Sequence, residues 1–160
     1  MAEGTVLQTM AGAVVAISAS LPATYDAAGY QATGMTYTPI GQVEDHGTHG
    51  VTANVPTFTA VADGVVQKFK GSKNYGTKTL VLGTLPSDAG QDIVETAVES
   101  QNRYSVKITY PARTSEATGE IQYLDVLVTK REYQDGAADA IRKLSVTFEV
   151  CRKPVVVAAT

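Results

Sequence analysis

Alternation of apolar and polar residues in two stretches of the chain is the feature that most limits its fold. Near the C terminus, KLSVTFEV places Leu144, Val146 and Phe148 on one side of an extended strand and polar residues on the other. The stretch YSVKITY, residues 104–110, has the same pattern. A period of two predicts half-buried β-strands, so these strands need an apolar core on one side.

Further β-branched stretches bounded by turn signals predict more strands. They cover residues 13–20, 35–43, 65–70, 77–84 and 120–131. The turn GSKNYG, residues 71–76, is predicted to join two of them, 65–70 and 77–84, into a hairpin. Together with 104–110 and 142–150 they make about seven strands.

One segment between the strands is predicted to be helical. Asp88 and Gln91, separated by Ala89 and Gly90, fit a capping box, with Ser87 as the alternative cap. One face of the helix, which ends near Asn102, carries Ile93, Val94, Ala97, Val98 and Gln101. We therefore expect a mainly β fold: a two-sheet β-sandwich or open barrel with one amphipathic α-helix packed on it.

Length and charge limit the number of domains and the partners. The 160 residues predict a single domain, 1–160, with an extended loop at about 44–57 and a short C-terminal tail, 154–160. Residues 1–67 hold five acids and no Lys or Arg, and the net charge is −3. A generic nucleic-acid binder would carry a strong basic excess, so that class is excluded.

Neither the N-terminal part nor the cysteine content points to export. The apolar run from Met10 to Ile17 lacks a basic segment before it and is too short to span a bilayer, so we expect no membrane insertion. The lone Cys151 cannot form an intramolecular disulfide and fits a buried strand position.

The stretch DHGTHG, residues 45–50, contains both histidines of the chain. Carboxylate and imidazole at short spacing suggest a metal site, but zinc usually takes three or four ligands on rigid structure. Gly47 and Gly50 oppose a helix here, and no third histidine exists. We therefore expect a solvated loop and no metal ligand.

Catalytic signatures are missing as well. The chain has no Gly-x-Ser-x-Gly motif, no phosphate-binding Walker loop and no GxGxxG after a strand. Asp88 and Asp92 are better explained as acids at the positive end of a helix dipole. We expect no catalytic residues, no cofactor and no enzyme activity.

Residues 62–111 resemble a known family. They read ADGVVQKFKGSKNYGT and then LVLGTLPSDAGQDIVETAVESQNRYSVKITYP. The order Asp-Gly, Lys-Phe-x-Gly, Asp-x-Gly-Gln at the helix start and a closing Pro is similar to that of the major tail tube protein of long-tailed, non-contractile bacteriophages. The matching residues are Asp63, Gly64, Lys68, Gly71, Asp88, Gly90, Gln91 and Pro111. The polar stretch 112–118 is longer than the family's tight turn.

The resemblance implies a structural virion protein that assembles in the host cytoplasm and resides in the tail. It implies hexameric rings whose inner strands join one large β-barrel, stacked into a tube that delivers the genome. The implied partners are further copies of the chain, the tape measure protein, the tail terminator, tail tip proteins and transiently passing double-stranded DNA. A ring-to-ring contact arm is then expected at Glu44, Asp45, His46, His49 and Asn54.

The polar strand faces are candidates for the lining of the lumen. A conduit for DNA needs few basic groups, because counterion release would otherwise hold the polyanion. The candidate lining residues are Ser105, Lys107, Thr109, Asp125, Thr129, Lys143, Ser145, Thr147 and Glu149. Two alternatives stay open at this stage: a virion decoration or adhesion β-sandwich, and a small metal-dependent hydrolase that uses His46 and His49.

Overall fold

The computed structural model describes residues 7–160 and is mainly β. The described strands are β1 (Val14–Ser18), β2 (Thr38–Pro39), β3 (Val43–Asp45), β4 (Thr52–Ala53), β5 (Thr57–Thr59), β6 (Val66–Lys68), β7 (Lys73–Asn74), β8 (Thr77–Gly83), β9 (Tyr104–Thr109), β10 (Ile121–Gln134), β11 (Lys143–Val150) and β12 (Val155–Val157). The described helices are α1 (Ala27–Tyr30) and α2 (Ala89–Glu99). Neither is long and apolar enough to cross a membrane.

Eight strands form one antiparallel sheet that curls into a half-barrel. Its order is β2-β1-β9-β10-β11-β8-β3, with β12 beside the start of β10. The 14-residue β10 joins the two halves, because residues 121–126 pair with β9 and residues 126–134 pair with β11. Of the two predicted architectures, the open barrel is therefore correct and the two-sheet sandwich is wrong. A bulge between Val128 and Lys130 adds local twist to this strand.

The core fills the concave side of the half-barrel, under α2. Val15, Val106, Leu124 and Val146 are each 0% exposed, and each such side chain contributes about 1.5–3 kcal/mol. On α2, Val94 and Ala97 are buried, and Ile93 and Val98 pack against the core as partly buried residues. This confirms the predicted apolar face at these four positions, whereas Gln101 is exposed and lies beyond the helix, which ends at Glu99 and not near Asn102.

The predicted hairpin of residues 65–70 and 77–84 is wrong. Strand β6 pairs with β5 instead, whereas β8 pairs with β11 and β3. The turn at Asp63-Gly64 closes the hairpin, since Gly64 has φ +64° and its N–H donates to Ala60 O at 3.0 Å. Strands β4 to β7 thus form one long hairpin, and we call residues 50–76 the arm.

Three other segments differ from the prediction. The expected strand 35–43 is split into β2 and β3, with Gln42 at φ +56° between them. A second, short helix that the sequence did not predict, α1, is capped by Asp26, whose Oδ1 accepts from Gly29 N at 2.7 Å. The C-terminal tail is tied down by β12 and by Thr160 N, which donates to Thr118 O at 3.1 Å.

Candidate assembly surfaces

One surface of the half-barrel is mostly polar, and its polar residues are exposed or half-buried except for Ser145, which is buried at 9% exposure. Directly opposite residues of an antiparallel pair share a face, and Thr147 lies opposite both Thr79 and Lys130. This face points away from α2, and we call it the open face. It comprises Thr77, Thr79, Lys130, Glu132, Lys143, Ser145, Thr147 and Glu149.

Charges on the open face are balanced by neighbouring groups. Lys130 Nζ lies 2.8 Å from Glu132 Oε2, and Lys143 Nζ lies 2.7 Å from Glu44 Oε2. Thr77 Oγ1 donates to Glu149 Oε1 at 3.0 Å. Exposed pairs of this kind add little stability, but they leave the face without a basic stripe.

The polar side of the other half of the sheet is covered by the chain itself. Ser105 is 0% exposed and donates its hydroxyl to Ser20 O at 3.0 Å. Tyr123, one strand away, stacks on Tyr30 of α1 with ring centroids 5.0 Å apart. Lys107 Nζ lies 5.7 Å from the centre of the Tyr37 ring. Residues 20–37 therefore form a layer over this half.

Asp125 connects this layer to the sheet. Its carboxylate is 1% exposed, and Oδ2 accepts from Arg103 Nη1 at 3.3 Å and from Arg152 Nε at 3.1 Å. The Arg152 guanidinium stacks 4.0 Å from the Tyr25 ring centre. Burial, followed by the nearby Asp125 charge, raises the pKa of Tyr30 to about 12, and burial also raises the pKa of Tyr37.

These contacts correct the predicted lumen lining. Ser105 and Asp125 are buried inside the subunit and cannot line a lumen in this conformation. Lys107 and Thr109 are half-buried on the same covered half. The other four strand-face candidates, Lys143, Ser145, Thr147 and Glu149, lie on the open face, and Thr129 sits beside it in the bulge, where its hydroxyl donates to Thr147 O at 3.4 Å.

The arm is the most exposed part of the described chain. Every residue of β5 and β6 is exposed. Val61 at the tip is 101% exposed, and Phe58 and Phe69 are 59% and 53% exposed. The other exposed large apolar residues of the arm are Val51, Val55, Val65 and Val66. Monomeric soluble proteins rarely expose this many large apolar side chains on one segment.

The DHGTHG loop is the root of the arm and is fixed to the sheet. Lys78 is 2% exposed on the core side of β8, and its Nζ donates to His46 O at 2.5 Å. The same Nζ lies 3.5 Å from His49 Nδ1, and His49 Nε2 lies 2.8 Å from Gln122 Oε1. Burial lowers the pKa of Lys78, and burial together with the Lys78 charge lowers that of His46.

This geometry changes the interpretation of the predicted arm residues. His46 and His49 do not lie in a freely solvated loop. The His46 carbonyl accepts from Lys78 of β8, and the His49 ring lies between Lys78 and Gln122 of β10. Among residues 7–160, no group of three His, Cys, Asp or Glu side chains is placed to hold a metal ion. Glu44 accepts from Lys143 of the open face, and Asn54 connects the two sides of the arm by donating from its N–H to Ser72 O at 2.8 Å. Asp45 Oδ1 accepts from Gly47 N within the loop at 2.7 Å.

Sequence reasoning missed Lys78, although a signal was present. In TKTLVLG, Lys78 is in phase with Leu80 and Leu82, so the alternation itself places the lysine on the buried side. The two arginines that bind Asp125 carried no comparable signal, because their partners are distant in sequence.

The start of α2 ties three segments together. Asp88 is the N-cap residue, as predicted, and its Oδ2 accepts from Gln91 N at 2.9 Å and from Gly41 N at 3.2 Å. The second hydrogen bond of the predicted capping box, from Asp88 N to the Gln91 side chain, is not formed. Gln91 Oε1 accepts from Leu85 N instead, and Gln91 Nε2 donates to Gly83 O. A side chain at Gly90 would place its Cβ 2.2 Å from Pro39 O, so only glycine fits.

Several sheet edges lack a partner strand within the described chain. Beyond Val126, one edge of β10 has no paired neighbour, because the pairing with β9 stops at Tyr104. The end strands of the sheet, β2 and β3, each have one free edge as well. Strands β10 and β3 carry charged side chains, among them Lys130, Glu132 and Glu44. Unpaired edges are sites for strand addition by another chain.

Comparison with solved structures shows which proteins share this fold. A chain of the anti-feeding prophage baseplate, solved with six-fold symmetrisation, superposes with a TM-score of 0.68 at 11% identity, covering 91% of this chain and 92% of that one. A sheath/tube terminator structure from the extracellular contractile injection system PVC gives 0.68 at 10%, covering 96% and 98%. The SPP1 tail tube gives 0.61 at 16%, covering 91% and 76%.

The sequence alone finds no such relatives: no protein-family model and no curated protein sequence matches it. The chain therefore has the fold of tail-tube and injection-system subunits at low sequence identity. That fold occurs in contractile systems as well as in the SPP1 tube. The likeness does not single out the non-contractile type that the sequence resemblance suggested.

Proposed function

We propose that the chain is a structural subunit of a tail-like tube, in which six copies form a ring and rings stack into a conduit. The observation that carries this proposal is a half-barrel in which two of the free edges, those of β10 and β3, run in opposite directions. The six-fold symmetrisation of the anti-feeding prophage baseplate and the C6 symmetry of the gene transfer agent tail support six as the ring number.

Strand directions support closure of the ring. β10 and β8 run the same way, because each is antiparallel to β11, and β3 runs opposite to β8. The free edge of β10 in one copy would thus meet β3 of the next copy in antiparallel orientation. Such pairing continues the sheet around the ring and satisfies backbone groups that a lone subunit leaves to water.

In this ring the open face lines the lumen. Hydroxyl groups and balanced ion pairs offer DNA few sites for counterion release, so the genome passes without being held. Assembled tubes should bind duplex DNA negligibly at moderate salt. Thr147→Lys should leave the tubes intact and introduce salt-dependent DNA binding, and strong binding by the unmodified tube would contradict the conduit.

The arm connects successive rings in this proposal. Its ends lie side by side, since a Cβ on Gly76 would sit 2.7 Å from Gly50 O. Residues 51–74 are therefore replaceable by a short glycine linker, while Tyr75, which packs against the core, is kept. The shortened chain should fold, as judged by circular dichroism, and should fail to form tubes. Normal tubes from this variant would contradict the role of the arm.

Negative-stain microscopy of the concentrated protein tests the proposal directly. We expect hollow tubes with six-fold end views. If only monomers or trimers form over a wide concentration range, the tube proposal fails and a decoration or adhesion module becomes the better explanation.

A further inference from the structure

The arm and one remote surface lie at opposite ends of the sheet. The arm joins β8 at Thr77, where Val150 N donates to Gly76 O at 3.0 Å. At the other end, β8 finishes at Gly83, and Thr84 N donates to Arg142 O at 3.1 Å. This distal end consists of residues 84–92, which include the start of α2, and of the β10–β11 turn, residues 135–142.

The distal end has a groove bordered by exposed apolar side chains. A groove of about 180 Å³ runs between the first turn of α2 and the β10–β11 hairpin, and its lining includes Leu85, Pro86 and Tyr133. Leu85 and Tyr133 are 41% and 44% exposed, and Ile141 in the turn is 77% exposed. These are large apolar surfaces for positions outside the core.

The charges of the two ends are complementary. The arm carries Lys68, Lys70 and Lys73 against one acid, Asp63. In the described chain none of these lysines has an ion-pair partner. At the distal end, Arg131 and Arg142 are already paired with Glu95 and Asp135. Asp92 and Asp139 have no such partner among the described residues, so the distal end is acidic where the arm is basic.

We propose that the arm of one copy docks on the distal end of the copy in the next ring. This inference rests on the proposed tube, because stacking in one direction brings the arm end of each subunit to the distal end of another. The apolar tip around Val61 and the two phenylalanines of the arm cover Leu85, Tyr133 and Ile141. Lys68 and Lys70 meet Asp92 and Asp139, which sets the register of the contact.

Such a contact is heterologous and does not close on itself, so it extends a stack indefinitely. Charged groups at its rim mainly select the partner and the encounter rate, whereas the buried apolar residues supply most of the affinity. Charge reversal is therefore the appropriate probe, since it tests which surfaces meet without removing the apolar contact.

The decisive experiment compares three reversed chains by sedimentation of polymer. Lys68→Glu with Lys70→Glu, and separately Asp92→Lys with Asp139→Lys, should each weaken polymerisation by about tenfold or more. All four changes in one chain should restore it, because every copy then presents matched surfaces again. The control, Glu99→Lys, makes the same kind of change at another exposed site and should polymerise like the unmodified chain.

Folding of each variant is checked by its thermal unfolding curve, since all these side chains are exposed. If the four-fold variant polymerises no better than the two-fold ones while the control polymerises normally, the docking proposal is wrong and the tube proposal stands. If the unmodified chain forms no polymer, the proposed function fails and the docking proposal fails with it.

Carbodiimide coupling of the assembled polymer gives an independent readout. In a mixture of ¹⁵N-labelled and unlabelled chains, we expect mixed-isotope peptides that join Lys68 or Lys70 to Asp92 or Asp139. Mixed peptides that join these lysines only to other acids, such as Glu99 or Glu120, would overturn the proposal.

Discussion

The two halves of the curled sheet share a core and differ in what lies on their other side. On the β1–β9 half, Ser105 and Asp125 are buried beneath the layer of residues 20–37. On the β8–β11 half, Thr79 and Lys130 are exposed. Strand β10 crosses from one half to the other. The side of this strand that faces away from the core is covered at Tyr123 and exposed to solvent at Glu132.

The comparison separates two kinds of polar strand residue. On the covered half, polar groups have specific partners inside the subunit, as Asp125 has in its two arginines. On the open half, they bond mainly to cross-strand neighbours on the same surface. We infer that the first half anchors the subunit's own structure and that the second half is free for an assembly.

The largest difference between the halves should come from the same substitution at matched sites. Ser105→Lys would force a long side chain into the packed space under residues 20–37 and remove the hydrogen bond to Ser20 O, even though Asp125 lies opposite it, and should cost on the order of 3 kcal/mol or prevent folding. Thr147→Lys places the charge on the open face and should cost under about 0.5 kcal/mol. Urea unfolding of both variants measures the difference in the free energy of unfolding. Equal losses would show that Thr147 is as poorly accessible to solvent as Ser105.

A second comparison stays within strand β10. Tyr123 is 2% exposed between Tyr30 and Tyr37, so Tyr123→Ala should cost about 3 kcal/mol through lost burial and a cavity. Lys130→Ala, beyond the bulge, should change the free energy of unfolding by less than about 0.5 kcal/mol. A small loss for Tyr123→Ala would indicate that the layer over the covered half is only loosely attached.

Sequence patterns predicted the apolar side of each long strand and of α2, because alternation and helical spacing depend only on local periodicity. They did not predict which polar sides are covered, since Ser105, which is fully buried, and Thr147, which is only half-buried, occupy equivalent places in similar patterns. Their different surroundings arise from residues 20–37, which pack over only one half. That packing depends on long-range contacts such as Arg152 on Tyr25.

Two further errors have the same kind of cause. Strand β6 lies between two turn signals, Asp63-Gly64 and GSKNYG. Local rules do not indicate which of the two turns joins β6 to its partner strand. The bulge in β10 reverses the alternation, so that Arg131 lies on the α2 side and contacts Glu95 at 3.2 Å. A residue inserted into a β-ladder as a bulge cannot be recognised from the alternation of apolar and polar residues.

Alkaline titration of Tyr30 should show a smaller effect, which reports on the covered half. The pKa of Tyr30 is raised to about 12, so the folded chain keeps a proton that the unfolded chain loses from about pH 10 upward. Stability should therefore be intact below pH 10 and decline between about pH 10 and 12.

The Tyr30→Phe variant isolates this contribution, because other titrating groups, such as Lys78, contribute equally to both chains. The difference between the two unfolding curves should be flat up to about pH 10 and change steadily above it. A difference that stays flat up to pH 12 would contradict the tight burial of the Tyr30 hydroxyl.

The smallest expected effects come from the arm root, where the two histidines differ in how they are held. The His49 side chain bonds to Gln122 and approaches Lys78, whereas His46 uses its backbone carbonyl, and its Nδ1 is buried without a partner among the described residues. His49→Ala should therefore cost about 1 kcal/mol, and His46→Ala should cost less at neutral pH.

The lowered pKa of His46 means that its protonation favours the unfolded chain, so stability should fall as the pH drops below about 6.5. His46→Ala should reduce that fall and His49→Ala should not remove this part of it. Thermal unfolding between pH 5 and pH 8 distinguishes the two, and identical acid profiles for His46→Ala and the unmodified chain would show that His46 is solvated in solution.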